Sequence, residues 1–397
     1  MNRMILTGQP YVSDYLIDTI IRNRIQVIDA PGTREVIPSR GVCFIGEEEA
    51  ADTIERSGAS LLYTVSESAI EWISQRLAGT GIPESLEFFK DKVKFRELTS
   101  GLYPDLFYRE VEFRELDDLE AGRLPIPLVI KPAVGFFSLG VNTVSSLDEW
   151  PHAVRAIREE AKAHGEFYPD RVLDTSRFII EEYIEGEEYA IDLYADGEGR
   201  PVVVGILKHL FGSEDDVSDR VYVTSAEIIE DKLELFTEFG ERITELSGLR
   251  NFPFHAEVRI GPDGQPVPIE INPMRFGAWC TTADLTGKAF GINPYEYYFF
   301  QKRPDWDKLL AHDSGKFYSL VALNNTTGLS SDLIESFDYD KLASMFENPL
   351  EVRKWDFREN PLFGFLVTET GRDNLEELEY ILRSDLREFV VPADTDR

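Results

Sequence analysis

The chain has 397 residues, 43% hydrophobic and 29% charged, the make-up of a soluble globular protein of two or three domains rather than of a disordered chain. Its 73 Asp and Glu against 41 Lys and Arg give a formal net charge of −32, which argues against nucleic acid or an anionic membrane as partner and leaves any anionic ligand in need of a local basic pocket. Two distant cysteines, Cys43 and Cys280, support neither a disulfide framework nor a zinc site, and no stretch is long enough to cross a membrane, so a cytoplasmic protein is expected.

In chain order, residues 1–90 alternate short apolar strands ("MILTG", "QVIDA", "VCFIG", "LLYTVS") with amphipathic helices, the rhythm of a small parallel sheet. A helix is expected from about Glu84 to Thr99, stopping at Gly101 and Pro104. Strands "LFYREVEF" and "PLVIKPA", a glycine-containing turn, a helix over 147–164 and strands "RFIIEEYI", "EEYAIDLYAD" and "RPVVVGILKHLFG" follow, which reads as α+β. An acidic loop, a long helix around "EDKLELFTEFGERITELSG" and a hairpin over 254–272 come next; beyond 300 only "KFYSLVALNNTTG", "FGFLVTETG" and a final helix "NLEELEYILRSDL" are legible.

The hairpin carries the sharpest pattern. Phe254, Ala256, Val258 and Ile260 alternate with His255, Glu257 and Arg259; after Gly-Pro-Asp-Gly, Val267, Ile269 and Ile271 alternate with Pro268, Glu270 and Asn272. A two-residue tip at Pro262 and Asp263 sets Val258 opposite Val267, Glu257 opposite Pro268 and His255 opposite Glu270. Glu257 and Glu270 then lie on one polar face as diagonal neighbours roughly 7 to 8 Å apart, with Asn272 a step beyond. Like charges at that distance suit a hard divalent cation between them. On the hairpin alone, a solvated acidic face is the commoner explanation.

Two other stretches bear on chemistry. In "VIKPAVGFFSLGV" a strand delivers Lys131 to a turn containing Gly135, Ser138 and Gly140, whose amides suit phosphate. Val141 and Asn142 stand where a Walker motif needs Lys and Ser or Thr, so that motif is rejected. In "FIIEEYIEGEEYAID", backbone groups from Glu181 to Ile184 suit a purine edge and Glu188 a ribose; an acidic hairpin loop is the plain alternative. GxSxG, HExxH and strand-borne GxGxxG motifs are all missing, and His255 is as readily a satisfied polar residue as a base.

Taken together, "DKVKFREL", "LVIKPAVGFFSLGV", "FIIEEYIEGEEYAID" and "HAEVRIGPDGQPVPIEINPMRFG" stand in the order that resembles the ATP-grasp superfamily, over about residues 1–300. The resemblance implies mixed α/β and α+β architecture: a Rossmann-like N-terminal α/β domain (1–90), a small grasping subdomain with a phosphate-covering loop (91–185), a large one with the metal site (186–300) and a C-terminal extension (301–397). It implies ATP and Mg2+ or Mn2+ as cofactors. Lys92 and Lys131 look like the phosphate lysines, Gly135 to Gly140 like the covering loop, Glu181, Glu182 and Ile184 like the adenine-contacting linker, and Glu188 like the ribose acid. Glu257, Glu270 and Asn272 look like the metal ligands.

Arg275 resembles the arginine that steadies the acyl phosphate, one residue further along than in the common "NPR". Lys208 lies where relatives place another phosphate-facing base, and His255 stands where many carry an arginine. The implied activity is an ATP-dependent carboxylate–amine ligase acting on a small carboxylate, with an acyl phosphate intermediate. An ATP-grasp carboxylase or kinase and a non-catalytic nucleotide-binding scaffold are the alternatives. Trp279, Thr281, Thr282 and the loop "TGQPYVSDY" are candidate substrate contacts by position, and the last hundred residues are candidates for the acceptor pocket or a homodimer interface.

Overall fold

In the computed structural model the described residues are all of 1–397 except 59, 66–67, 136–139, 165–175, 213–217, 312–314, 361 and 394–397; of Ser68 and residues 160–164 only the backbone is described. They form two compact units, Met1–Gly186 with Leu193–Val202 and Glu238–Cys280, and Glu187–Asp192 with Val203–Thr237 and Thr281–Arg397.

The first unit begins with the expected parallel sheet, in the order Cys43–Ile45, Gln26–Ile28, Arg3–Leu6, Leu61–Thr64. Its strands are nearly continuous apolar runs because both faces are buried, as Met4, Ile5, Val27, Leu61 and Leu62 show. An antiparallel sheet follows, ordered Tyr108–Glu112, Arg177–Glu182, Leu128–Pro132, Asn142–Val144, with Trp150, Val154 and Ile157 of the helix Trp150–His164 packed into its core. The hairpin Phe252–Ile260 and Pro266–Pro273 completes this unit.

The continuous helix expected over 84–99 is two helices, Ile82–Lys90 and Lys92–Thr99. Asp91 breaks it: its backbone is extended, and its carboxylate accepts from the amides of Val93 at 2.9 Å and Lys94 at 3.2 Å, capping the second helix. Arg177 holds the other carboxylate oxygen at 2.9 Å. Lys92 therefore opens a new helix, its amide donating to the Ala133 carbonyl at 2.8 Å beside Lys131.

The second unit carries an antiparallel run of residues 203–210 of the strand Pro201–Leu210, then Val221–Thr224, Lys316–Asn324, Leu362–Gly371 and Asn348–Lys354. Only parts of this were legible beforehand. Val221–Thr224 is too short to show a period, and Asn348–Lys354 is a charged edge strand. Val321, Leu323, Phe363, Leu366, Ile381 and Phe389 fill the core beneath. Buried Arg220 ties the last helix, Glu376–Arg383, into this unit by donating to the carbonyls of Ile381 at 3.1 Å and Ser384 at 2.6 Å.

Candidate functional site

The hairpin register differs from the expected one by two single-residue insertions. Gly264 donates to the Gly261 carbonyl at 3.0 Å, as the turn sequence requires, but Gln265 is added before pairing starts at Ile260 and Pro266. A bulge then leaves Ile269 unpaired between Val258 opposite Pro268 and Glu257 opposite Glu270. The first insertion turns Val267 onto the face of Arg259 and the second restores the alternation. Glu257 consequently stands directly across from Glu270, and His255 across from Asn272, in place of the diagonal arrangement. Directly opposed residues on one face lie about 4.5 to 5.5 Å apart at Cβ, so the two carboxylates come closer than expected.

Fixed cations compensate the pair on one side. Lys92 Nζ lies 3.3 Å from the Glu270 carboxylate, and the Asn272 amide donates to it at 2.9 Å. Burial by itself would raise the Glu270 carboxyl, but Lys92, the Asn272 amide and the more distant Lys131 and Lys90 outweigh it and hold the pKa at about 2. Arg275 donates to Asn272 Oδ1 at 2.9 Å and to the Phe276 carbonyl at 3.0 Å. The extra residue in "NPMR" is accommodated by Met274, which is left-handed at φ 64 and offers its carbonyl to the Thr64 amide at 2.8 Å. His255 Nε2 lies 3.6 Å from Glu257.

Lys131 and Glu181 meet beneath this hairpin in a buried ion pair, and Arg96 donates to the same carboxylate through Nε at 2.6 Å. Glu181 is pushed up by burial and down, further, by Arg96 and Lys131, to about 2. Burial lowers Lys131 despite Glu181, with Arg96 and Lys92 adding repulsion. The amides of Glu182 and Tyr183 donate to the carbonyls of Phe107 at 3.1 Å and Pro127 at 3.0 Å, and the Ile184 carbonyl accepts from Arg259 at 2.8 Å. Gly135 is buried beyond Lys131, Gly140 is left-handed at φ 72, and Ser138 lies outside the described residues.

In the second unit, Glu188 is buried and bonds His209 Nδ1 at 2.8 Å, while Lys208 pairs with Glu187 and sits 5.9 Å from the Tyr189 ring centroid. Thr282 donates to Asp192 at 2.5 Å. Of the candidate substrate contacts, Trp279 has a left-handed backbone at φ 51 and Thr281 is buried.

Residues 124–283 match the sequence model of the ATP-grasp domain family. The chain contains an ATP-grasp domain. Alanine–anticapsin ligase of Bacillus subtilis (strain 168) is 23% identical over 274 residues, 62% of this chain and 55% of the relative. D-alanine–D-alanine ligase of Bacillus anthracis is 26% identical over 191 residues, 46% and 56% of the two chains. The chain thus spans about half the length of the curated relatives it matches. Among solved structures, an L-amino acid ligase from Bacillus licheniformis superposes with TM-score 0.70 at 18% identity over 100% of this chain and 99% of that one. N5-carboxyaminoimidazole ribonucleotide synthetase from Thermotoga maritima reaches 0.62 at 16%, over 99% and 100%. At such identities the likeness is one of fold.

Within the ATP-grasp domain, two carboxylates opposed on one hairpin face with an amide alongside form a set of hard oxygen donors that fits a magnesium-class cation. The sequence reading missed Arg96 and His209. Arg96 lies four residues after Lys92 on the same helix, so helical spacing was the available signal; its distant partners were not visible. His209 sits beside the singled-out Lys208, but nothing local tells that it meets Glu188. Among the described residues no helix is long and apolar enough to cross a membrane.

Proposed function

We propose that the protein is an ATP-dependent carboxylate–amine ligase that activates a small carboxylate of the amino-acid class as its acyl phosphate, joins it to an amine and releases ADP and phosphate. The observation that carries this reading is the opposed Glu257 and Glu270 with Lys92 at 3.3 Å, in the unit that also buries Lys131 and Arg96. In a chain of net charge −32, such a concentration of buried cations supports the local basic surroundings that an anionic ligand requires. The names of the curated relatives, two of them amino-acid ligases, point the same way.

In this reading Glu257, Glu270 and Asn272 hold magnesium, which supplies charge neutralisation at the transferring phosphoryl group. Lys92 and Lys131 engage the phosphate oxygens, and the backbone amides of Gly135 and Gly140 are further candidates for phosphate contacts. Backbone groups of Glu182 and Ile184 contact the adenine, Glu181 keeps Lys131 in place, and Glu188 accepts from the ribose hydroxyls. Arg275, oriented by Asn272, steadies the acyl phosphate, and His255 lines the same face. Lys208, engaged by Glu187, stands as a secondary phosphate contact.

The test combines magnesium-ATP, pooled amino acids and hydroxylamine, with ADP, phosphate and hydroxamates read by mass spectrometry. A hydroxamate names the activated acid, and Glu270→Gln lowers turnover by about 100-fold or more while leaving the fold intact. ADP formation without any hydroxamate would redirect the reading to a carboxylase or kinase. Nucleotide binding with no turnover at all would leave a scaffold.

A further inference from the structure

Glu188, His209 and Asp219 present ligand atoms within 4.8 Å of one another, the spacing of a metal site. The hydrogen bonds argue otherwise. His209 Nδ1 is 2.8 Å from Glu188 Oε1, and Nε2 is 3.0 Å from the Ser218 carbonyl oxygen. With Glu188 ionised, both ring nitrogens face acceptors, an arrangement that the doubly protonated imidazolium satisfies and that leaves no lone pair for a metal. The ring is nearly buried, stacked on Tyr222 at 4.2 Å and 13° and packed against Phe211 at 4.0 Å. Tyr222 in turn donates to Asp219 at 2.9 Å.

We infer that His209 is a positioning residue: as an imidazolium it fixes the Glu188 carboxylate in one orientation and so sets how strongly the protein discriminates ribonucleotides from deoxyribonucleotides. This rests on the reading of Glu188 as the ribose acid of an ATP site. Three features beyond the hydrogen bonds support it. Glu188 is buried and held by His209, so its carboxylate has a fixed orientation and not that of a freely rotating surface acid. The ring stack prevents His209 from turning away. Burial would depress the imidazole, but Glu188 first, then Asp219 and the Ser218 carbonyl, more than offset it, and the group titrates above its ordinary value. Among the described residues, the titratable groups facing the ring are Glu188 from its own neighbouring strand, Asp219 from the connecting segment and Tyr222 from Val221–Thr224.

The experiment measures affinity of the full chain for Mg-ATP, Mg-2′-deoxyATP and Mg-3′-deoxyATP in the wild type, His209→Leu and His209→Asn. Asparagine places an amide donor near the position of Nδ1, so it keeps a neutral bond to Glu188 and serves if the leucine variant does not fold. The expected result is a loss in ATP affinity of about tenfold to a hundredfold for leucine, the worth of charge-assisted hydrogen bonds. Affinity for at least one deoxynucleotide stays unchanged, and asparagine recovers part of the discrimination. Wild-type discrimination also declines as pH rises through the imidazolium titration, whereas that of His209→Asn is flat. Undiminished ribose discrimination in both variants overturns the inference while leaving ATP binding intact. Failure of the wild type to bind Mg-ATP overturns the ATP reading itself and this inference with it. With zinc chloride as probe, micromolar binding abolished by His209→Asn would assign the cluster to a metal instead.

Discussion

Arg96 is 2% exposed and answers two needs at once. Its Nε completes the Glu181 pair, and its fork donates at 2.7 Å to the carbonyl of Pro268, with Ile269 O at 3.5 Å, at the bulge. One side chain thereby links the carboxylate that holds Lys131 to the strand that carries Glu270 and Asn272. Removing it leaves Glu181 with Lys131 as its remaining cation and takes the donor from a buried carbonyl, so Arg96→Met is expected to lose about 2 to 4 kcal/mol in urea unfolding. Arg96→Lys restores charge but offers no planar fork, and recovers only part of that loss. An Arg96→Met protein within about 1 kcal/mol of wild type would show that the bulge carbonyl and Glu181 find other partners.

At the scale of elements, the strand Glu187–Ala195 starts from a glycine that nothing else replaces. Gly186 has φ +121, and a Cβ there would sit 2.1 Å from the Ile260 carbonyl oxygen on the hairpin that carries Glu257 and Glu270. Gly248, by contrast, ends the helix Ala226–Ser247 at φ +67 with open space around it. Alanine at 248 is expected to cost about 1 to 2 kcal/mol of backbone strain. Alanine at 186 should cost clearly more, because backbone must move; equal unfolding midpoints for the two variants would contradict this. The same contrast explains what the sequence showed and what it hid. Periodicity located the longer strands and helices up to Pro273, though not the short elements Thr33–Val36, Asn142–Val144 and Val221–Thr224, and it located the polar face holding Glu257, Glu270 and Asn272, because burial on one side enforces parity. It could not show the break at Asp91, whose cap acts only three residues ahead, nor the paired insertions at Gln265 and Ile269, which cancel in parity. Beyond residue 300 short helices and edge strands take their stability from tertiary packing, so local pattern carried little there.

For the whole molecule, a formal net charge of −32 at pH 7 means that the folded state works against its own field. Lowering the pH towards the isoelectric point near 4.5 protonates surface carboxylates and relieves that repulsion, so stability rises as pH falls from about 8 to about 5. Glu181 then reverses the trend. Its folded pKa of about 2 lies below the ordinary 4.5, so its contribution is complete above pH 4.5 and disappears as pH falls through about 2. His209 has the opposite sign: raised in the folded state, it stabilises below its ordinary 6.5 and is lost as pH rises through its folded value. Urea midpoints at low salt should therefore peak near about pH 5. At about 0.5 M salt, where screening acts within a few ångströms, the surface part of the alkaline limb flattens, while the acid limb and the His209 part remain because both groups are buried. His209→Asn removes that remnant. Midpoints that stay level from pH 8 to 5 at low salt would dismiss self-repulsion as a governing term, and an acid limb that salt erases would move its origin from the buried Glu181 to the surface.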